Sequence, residues 1–407
     1  MYYSYYKKKF PDSVLVYIEE FNKLDRTVLF DFIDSNEFRL FANTIDTNFD
    51  LNKPSMVLLN NYEGRTIQEN TTYAIRPEVI QFWQEQGLIN TDNIDSFLIG
   101  YFIDVSKTAE PVFHQSVSLK DFQDEFYLNP YMRGTGNISR IQLSGKGKAS
   151  VTVRNVGQGN WNEINFDNKT QIVYDAGAPM IASRANIAAI IGNRCVLYSN
   201  SKPILILSHW DKDHYHSLIG MTDVELQNNF SALVCRDHVP NLTSRILFGR
   251  LRDAIGPANI FTISADQRVT RGGPTYFRPL TPLKNQIVIY NSQYHKNRNI
   301  SGLALTIKTK SGSAVLTGDA HYEQISRDIL PHLNYKHNHN LVVPHHGGKA
   351  GAYIYQTPIL ASVAQAIISV GKNHYRHPLP KYVDSLRSSG FNIQQTNTVG
   401  ADITILL

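Results

Sequence analysis

Short apolar runs recur along the second half of the chain and end in residue types that bind metals. Residues 204–207 have the length and β-branched content of a buried strand. They are followed at once by His209, Asp211, Asp213 and His214. Imidazole and carboxylate ligands together suit Zn²⁺, Mn²⁺ or Fe²⁺ better than Ca²⁺. The pattern predicts a metal site at the carboxyl end of a strand, with a solvated loop as the alternative.

Three later apolar runs end in the same way. They are 314–317, followed by Asp319, 341–344, followed by His345 and His346, and 366–370, followed by a loop with His377. A solvated-loop explanation would require this coincidence four times. The four runs therefore favour a single site at one edge of a sheet.

Glycine turns interrupt the strands that precede this region. Residues 151–156 form a β-branched run that ends in Gly157-Gln158-Gly159-Asn160, and residues 171–174 lead to Asp175-Ala176-Gly177. Glycine after a strand allows close approach of the backbone to a neighbouring group. The third glycine of a dinucleotide fingerprint is absent. Residues 181–198 predict one helix packed on the sheet, and 230–235 and 259–263 predict further strands.

Residues 1–140 predict an α+β accessory domain. Strand-like runs at 14–18, 28–32, 56–60 and 97–103 alternate with a helical pattern over 77–87. That helix begins with Pro77, places Val79, Ile80 and Trp83 on one face, and ends at Gly87. The role of this domain is either to dock a partner or gate the substrate, or to give plain structural support. A linker or hairpin over 133–150 leads into the second domain.

Composition places the chain among globular proteins. It has 407 residues, 42% of them hydrophobic, which is enough for two domains with substantial cores. No run reaches about 18 apolar residues and the N-terminus lacks a signal-peptide pattern, so we expect a cytoplasmic protein without a membrane span. Two cysteines, Cys195 and Cys235, suggest buried free thiols rather than a disulfide framework.

The net charge of +5 conceals an asymmetry between the two parts. Residues 1–145 contain 13 Lys and Arg against 20 Asp and Glu, a balance of −7, whereas residues 146–407 contain 27 against 15, a balance of +12. Lys and Arg neutralise phosphates and steer their approach. A polyanionic substrate is therefore favoured, although many mildly basic proteins bind no nucleic acid.

Six motifs, in this order, resemble those of metallo-β-lactamase-fold hydrolases, and most closely those of the metallo-β-lactamase domain of the ComEC competence family. They are Gly157-Gln158-Gly159, Asp175-Ala176-Gly177, His209-x-Asp211-x-Asp213-His214, Thr317-Gly318-Asp319, His345-His346-Gly347 and His377-Pro378. The resemblance covers residues 148–407, which we take as the catalytic domain. It implies an αββα sandwich, with two mixed sheets, helices outside and a metal cleft along one edge.

The chain departs from this family at several positions. Asn160 stands where the relatives usually have Asp, Gly348 where they have Ser, and Arg376 where they have Gly. Residues 297–302 stand where many of these enzymes have a Gly-His-Thr-Pro-Gly-Ser run whose His binds a metal, and no His is present there. We therefore expect the first of two metal positions to be weak, unless His345 completes it.

Two divalent ions about 3.5–4 Å apart would hold a hydroxide nucleophile and clamp the oxygens of a phosphodiester. We assign His209 and Asp211 to the first ion, Asp213, His214 and His377 to the second, and Asp319 to both. His345 is a ligand or a donor to a phosphate oxygen, and His346 is the candidate general acid. Asp213, Asp319 and His346 thus form the predicted catalytic set. Three Asp ligands favour Mn²⁺ over Zn²⁺ moderately.

Four further residues are expected to support the site. Asp175 should accept the second N–H of a ligand imidazole. Lys349, Lys372 and Arg376 flank the ligand loops and are predicted to contact substrate phosphate, with ordinary surface cations as the alternative.

The sequence therefore predicts a metal-dependent phosphodiester hydrolase that acts as a DNA nuclease, in DNA processing or bacterial defence, with nucleic acid as its partner and a possible protein partner at the N-terminal domain. A small-molecule hydrolase, acting on a cyclic nucleotide or a lactone, is the first alternative. A non-catalytic sensor or scaffold subunit is the second, although a decayed site would be expected to lose ligands such as Asp213 and His214.

Overall fold

The chain divides into two units. The computed structural model describes residues 12–45, 54–91, 94–108, 111–117, 134–136, 138, 141, 143, 145–266, 275–295, 297–333, 337–353, 364–373 and 375–407. The first unit comprises residues 1–131 and 238–249, and the second comprises residues 132–237 and 250–407.

The first unit is built on one mixed sheet. Its described strands are β1 Val14–Asn22, β2 Thr27–Phe32, β3 Met56–Asn60, β4 Thr72–Ile75, β5 Ile89–Asn90, β6 Ile99–Asp104 and β7 His114–Val117. The order is β5-β6-β3-β2-β1-β4-β7, and only β3 and β6 pair in parallel among the described strands. The predicted strands at 14–18, 28–32, 56–60 and 97–103 are confirmed.

Two helices, α1 Ser35–Ile45 and α2 Pro77–Glu85, bury apolar side chains in the core of this sheet. α2 confirms the predicted helix. Pro77 occupies its first turn, where a missing N–H costs nothing. Val79, Ile80 and Trp83 are buried, and Gly87 follows the helix with a φ of +62°.

Residues 238–249 join the first unit through polar contacts that the sequence does not indicate. The Thr243 N–H donates to Asp31 Oδ2 at 2.8 Å, and the Asn241 side chain donates to Glu19. Burial raises the pKa of Asp31 to about 6, against the opposing effect of its hydrogen bonds to Ser55 and Thr243. These partners are far apart in sequence, so no local pattern reports the contact.

The second unit contains two seven-stranded sheets. The strands of one are β8 Ala149–Val153, β9 Trp161–Phe166, β10 Lys169–Ala176, β11 Ile204–Ile206, β12 Ala232–Arg236, β13 Ile260–Ile263 and β21 Ile403–Leu406, in the order β13-β12-β11-β10-β9-β8-β21. The strands of the other are β14 Phe277–Pro279, β15 Ile287–Ser292, β16 Leu303–Lys308, β17 Gly312–Leu316, β18 Asn338–Val342, β19 Gln365–Ile368 and β20 Asn392–Gln395, ordered β14 to β20.

The two sheets share one apolar core. Val151, Ile172 and Ile206 of one sheet lie in the same buried cluster as Leu305 and Ile367 of the other. β10 to β13 run parallel, as do β17 to β20. Parallel strands covered on both faces are apolar throughout rather than alternating, which is why the apolar runs in the sequence marked them correctly.

Helices cover the outer faces of the sheets. The remaining described helices are α3 Arg184–Ile191, α4 Arg194–Ser201, α5 Lys212–Ile219, α6 Asp223–Asn229, α7 Leu242–Ile255, α8 Tyr322–Asp328, α9 Pro380–Ser388 and α10 Thr396–Val399. Of these, α7 begins among the residues of the first unit, and Leu242 lies in the core of that unit. α4 and α5 pack on β10, whereas Ile325 of α8 and Leu386 of α9 lie in a second core on the other sheet. The predicted αββα sandwich is confirmed.

One predicted element differs. The single helix expected over 181–198 is two helices, α3 and α4, because Gly192 adopts a φ of +53° and ends the first of them. Cys195 lies on α4 and is only partly buried, whereas Cys235 on β12 is fully buried. Among the described residues, no helix combines the length and the apolar character that a membrane span requires.

Candidate metal centre

The ends of parallel strands bring the predicted ligands together. β10 pairs in parallel with β11, and β17 with β18, so their carboxyl ends lie at the same edge of each sheet. Asp175 lies at the end of β10 and His209 follows β11. Asp319 follows β17, and the turn with His345 and His346 follows β18.

The described residues contain two groups of three side chains that could hold a metal ion. Within each group, the donor atoms all lie within 4.8 Å of one another. One consists of His209, His214 and Asp319, and the other of Asp213, His214 and His346. Because His214 belongs to both, the groups adjoin. Three predicted ligands, Asp211, His345 and His377, lie outside these two groups.

Two imidazole nitrogens at this centre are buried and form no hydrogen bond within the part of the chain that the structure describes. They are Nε2 of His209, 3.4 Å from Asp211 Oδ2, and Nε2 of His214, 3.1 Å from Asp319 Oδ1. A buried polar atom without a partner is costly. Imidazole nitrogens facing carboxylate oxygens form a donor set for a divalent transition metal. These residues therefore fit such an ion.

Asp319 is the anion around which the centre is built. Its Oδ1 lies 3.1 Å from His214 Nε2 and its Oδ2 lies 2.7 Å from His345 Nδ1. Burial raises the pKa of Asp319, but the two histidines outweigh burial and hold it well below its usual range. The same carboxylate helps to raise the pKa of His214 and His345 against their burial. Asp319 is therefore ionised and ready for a cation.

Asp213 is fixed by His346. Asp213 lies in the first turn of α5, and its Oδ2 is 3.2 Å from His346 Nε2. The His346 Nδ1–H donates to the carbonyl of Ser369 at 2.6 Å. Burial raises the pKa of Asp213, but His214 and His346 outweigh burial and lower it to about 2. Both ring nitrogens of His346 are engaged, so it positions Asp213 in this arrangement, and its role as general acid stays a prediction.

Asp175 lies behind the ligands and orients them. Its Oδ2 is 2.8 Å from His214 Nδ1, and its Oδ1 accepts the Ser208 N–H at 2.7 Å. The Ser208 hydroxyl also reaches Asp175, at 2.9 Å, and His209 Nδ1, at 2.9 Å. When His214 Nδ1–H donates to Asp175, the lone pair of Nε2 faces Asp319. Sequence reasoning missed Ser208, although a polar residue between the apolar run and His209 was a usable signal.

Replacing Asp175 with asparagine should weaken metal binding by about 10- to 100-fold, the usual cost of losing such an orienting carboxylate. An amide accepts only at one end, so it cannot serve Ser208 N–H and His214 Nδ1 as the carboxylate does. Calorimetric titration of the apoprotein with Mn²⁺ or Zn²⁺ measures the change. Asp384→Asn, at an exposed carboxylate on α9, is the control. An unchanged affinity in Asp175→Asn would contradict this role.

The two glycine turns, at residues 157–160 and 175–177, contact the start of α5 and fix its position. Asn160 N–H donates to the Asp213 carbonyl at 2.8 Å, and Gly177 N–H donates to the Asn160 carbonyl at 2.8 Å. A Cβ on Gly177 would lie 1.6 Å from the Asp213 carbonyl oxygen. Only glycine permits this approach. Asn160 also donates to Asp175 Oδ2 at 3.2 Å, so the Asn that stands where ComEC sequences usually have Asp contacts the orienting carboxylate.

Arg298 is a buried residue of the centre that the sequence did not indicate as functional. Its Nε lies 2.9 Å from Asp211 Oδ1, and its Nη1 donates to the Trp210 carbonyl at 3.0 Å. Burial raises the pKa of Asp211, but Arg298 and then His209 outweigh burial and hold it well below its usual range. The available signal was its position, in the segment where many metallo-β-lactamase-fold enzymes have a ligand histidine.

The remaining predicted residues are His377 and three cations, Lys349, Lys372 and Arg376. His377 stacks on Tyr375 with ring centroids 5.4 Å apart and lies 5.2 Å from the His345 ring. Burial, followed by the proximity of His345 and His346, lowers the pKa of His377 to about 3. The predicted phosphate contacts, Lys349, Lys372 and Arg376, are exposed. His377 therefore remains neutral near neutral pH and available as a ligand.

No protein-family model matches the chain, and no curated protein matches it. Among solved structures it is similar to the metallo-beta-lactamase fold protein YhfI from Bacillus subtilis, with 13% identity and a TM-score of 0.35, covering 64% of this chain and 100% of that chain. It is also similar to human tRNase Z, short form, with 11% identity, a TM-score of 0.27 and coverage of 47% and 76%. A third is CmlA, a diiron beta-hydroxylase from Streptomyces venezuelae, with 10% identity, a TM-score of 0.34 and coverage of 65% and 55%.

The architecture of the second unit follows from its own strand order and from the core that its two sheets share. Two facing mixed sheets, outer helices and a His/Asp centre at the strand ends constitute the αββα architecture of the metallo-β-lactamase fold.

Proposed function

We propose that the chain is a metal-dependent phosphodiester hydrolase whose substrate is DNA. The observation that carries this proposal is the buried centre of His209, His214 and Asp319, in which two imidazole nitrogens face carboxylates without forming hydrogen bonds. A sensor or scaffold without catalysis has no need for such a costly arrangement.

The protein supplies positioning and charge. A divalent ion bound here lowers the pKa of its water and so provides a nucleophile near neutral pH. Asp213, fixed by His346, and Asp319, fixed by His214 and His345, are the carboxylates that would hold it. His345 is only partly buried and donates from Nδ1 to Asp319. Its ring is therefore the candidate donor to a substrate phosphate oxygen.

The surroundings favour a phosphate substrate. Lys349 follows the turn with His345 and His346, and Lys372 and Arg376 lie in the loop before His377. All three side chains are exposed, as residues that contact a polymer backbone are. The balance of +12 over residues 146–407 favours a polyanion over a neutral lactone. The choice of DNA rests on the resemblance to the ComEC domain.

The test is hydrolysis by the purified chain with Mn²⁺, Mg²⁺ or Zn²⁺, or with EDTA. The substrates are single-stranded DNA, double-stranded DNA, RNA, cyclic dinucleotides and bis(p-nitrophenyl) phosphate. Metal-dependent cleavage of DNA is the expected result. Cleavage of RNA alone, or of the small esters alone, would overturn the DNA assignment and keep the hydrolase. If the metal-loaded protein cleaves none of these substrates, the proposal is contradicted.

Replacing Lys349 with alanine should weaken DNA binding and reduce its salt dependence by about one phosphate contact, a change of about 0.7–0.9 in the slope of log K against log salt. Fluorescence anisotropy over a range of KCl concentrations measures this slope. The matched control is Lys310→Ala, since the exposed Lys310 precedes β17 whereas Asp319 follows it. Equal slopes for Lys349→Ala and the unmodified protein would remove Lys349 from the binding surface.

A further inference from the structure

Residues 297–302, which contain no histidine, place two side chains, Arg298 and Asn299, beside residues of the metal centre. Arg298–Ile300 form a 3₁₀ turn between β15 and β16. Gln324 Nε2 donates to the Ile300 carbonyl at 3.1 Å, and the Asn297 side chain accepts the Asn299 N–H at 3.0 Å. Asn299 Nδ2 lies 2.9 Å from His345 Nδ1. The turn is therefore tied to α8 through Ile300, and Asn299 places it beside His345.

Arg298 presents its guanidinium to the carboxylate of the expected first metal position. The residue is 7% exposed, its Nε is 2.9 Å from Asp211 Oδ1, and its Nη1 donates to the Trp210 carbonyl at 3.0 Å. Both acceptors belong to the stretch that also carries His209. A buried guanidinium held by an ion pair with a carboxylate and a hydrogen bond to a carbonyl is costly to displace, because the carboxylate would lose its counter-charge and the carbonyl its donor.

We propose that the Arg298 guanidinium takes the place of the first ion, so that the centre binds one divalent cation rather than two. This inference rests on the proposed metal-dependent function and specifies its cofactor. The single ion is held by His214 and Asp319 with His209 and Asp213 beside them, whereas Asp211 forms an ion pair with Arg298.

Charge and donor geometry support this assignment. Four carboxylates, Asp175, Asp211, Asp213 and Asp319, lie at the centre. A guanidinium neutralises one of them, and an ion placed on Asp211 would lie beside that guanidinium in a poorly screened interior, where like charges repel. Within the described residues, neither group of mutually close donor atoms includes Asp211.

The test is the metal content of the full chain. The protein is saturated with Mn²⁺, freed of excess ion by gel filtration, and analysed by elemental mass spectrometry and by electron paramagnetic resonance. We expect one Mn²⁺ per chain, with the spectrum of an isolated ion. Arg298→Lys retains the cation and should also bind one ion. Arg298→His removes the cation, adds a ligand and should bind two ions with an exchange-coupled spectrum.

Each outcome decides the matter. Two ions in the unmodified chain, with a coupled spectrum, would overturn the inference and leave the proposed hydrolase intact. One ion in a folded Arg298→His protein would show that Arg298 does not exclude the second, which also overturns it. No bound ion in the unmodified chain would reject the metal centre and the proposed function together. If Arg298→His does not fold, the stoichiometry of the unmodified chain still decides.

Discussion

Replacing Asp319 with asparagine is expected to remove metal binding and, with it, phosphodiester hydrolysis. The carboxylate contacts His214 Nε2 at 3.1 Å and His345 Nδ1 at 2.7 Å, and it is buried. The amide keeps the shape but loses the negative charge that balances the cation. We expect a loss of metal affinity larger than the 10- to 100-fold that removal of an orienting residue such as Asp175 costs.

The measurement pairs calorimetric Mn²⁺ titration with the DNA cleavage assay on the same preparation. Glu323→Gln is the control, since Glu323 is an exposed carboxylate on α8 just beyond Asp319 in sequence. Circular dichroism establishes that both variants are folded. Full cleavage activity with unchanged metal content in Asp319→Asn would exclude Asp319 from the centre.

The fold was largely predictable because the strands that lead to the predicted ligands, β10, β11, β17, β18 and β19, lie in the parallel parts of the two sheets and are largely buried. Such strands are continuous apolar runs, so residues 204–207 and 341–344 could be recognised without alternation. The carboxyl ends of parallel strands share an edge, and the polar residues after each run therefore predicted one site. His209, His214 and Asp319 do lie within 4.8 Å of one another through their donor atoms.

The parts that the sequence did not predict depend on contacts between distant residues. Arg298 lies in a turn without an apolar pattern, and arginine is not a metal ligand, so nothing local connected it to Asp211. Residues 238–249 join the first unit through Asp31 and Glu19, which are far away in the sequence. The helix expected over 181–198 breaks because Gly192 adopts a left-handed φ, which an apolar pattern cannot reveal.

Gly348→Ser introduces the residue that the ComEC-like sequences have at this position, and it should lower cleavage activity by about a hundredfold, the effect of displacing a catalytic group by roughly 1 Å. A Cβ at Gly348 would lie 2.3 Å from His345 Cδ2 and 2.4 Å from His377 Cε1. Both rings would have to move. The backbone of Gly348, with φ −83° and ψ −150°, is extended and open to serine, so the expected effect is on the two histidines and not on the chain path.

Steady-state kinetics with bis(p-nitrophenyl) phosphate and with DNA measure the change, and thermal unfolding followed by circular dichroism reports stability. Gly249→Ser is the matched control, because a Cβ there meets nothing within 4 Å. We expect Gly348→Ser to retain its fold and lose turnover, and Gly249→Ser to retain both. Undiminished activity in Gly348→Ser would mean that the centre tolerates displacement of His345 and His377, and that neither ring contributes to the reaction in the position described. A loss confined to Gly348→Ser would tie the glycine at this position to the close packing of the two rings, and so explain why this chain has glycine where the ComEC sequences that it resembles have serine.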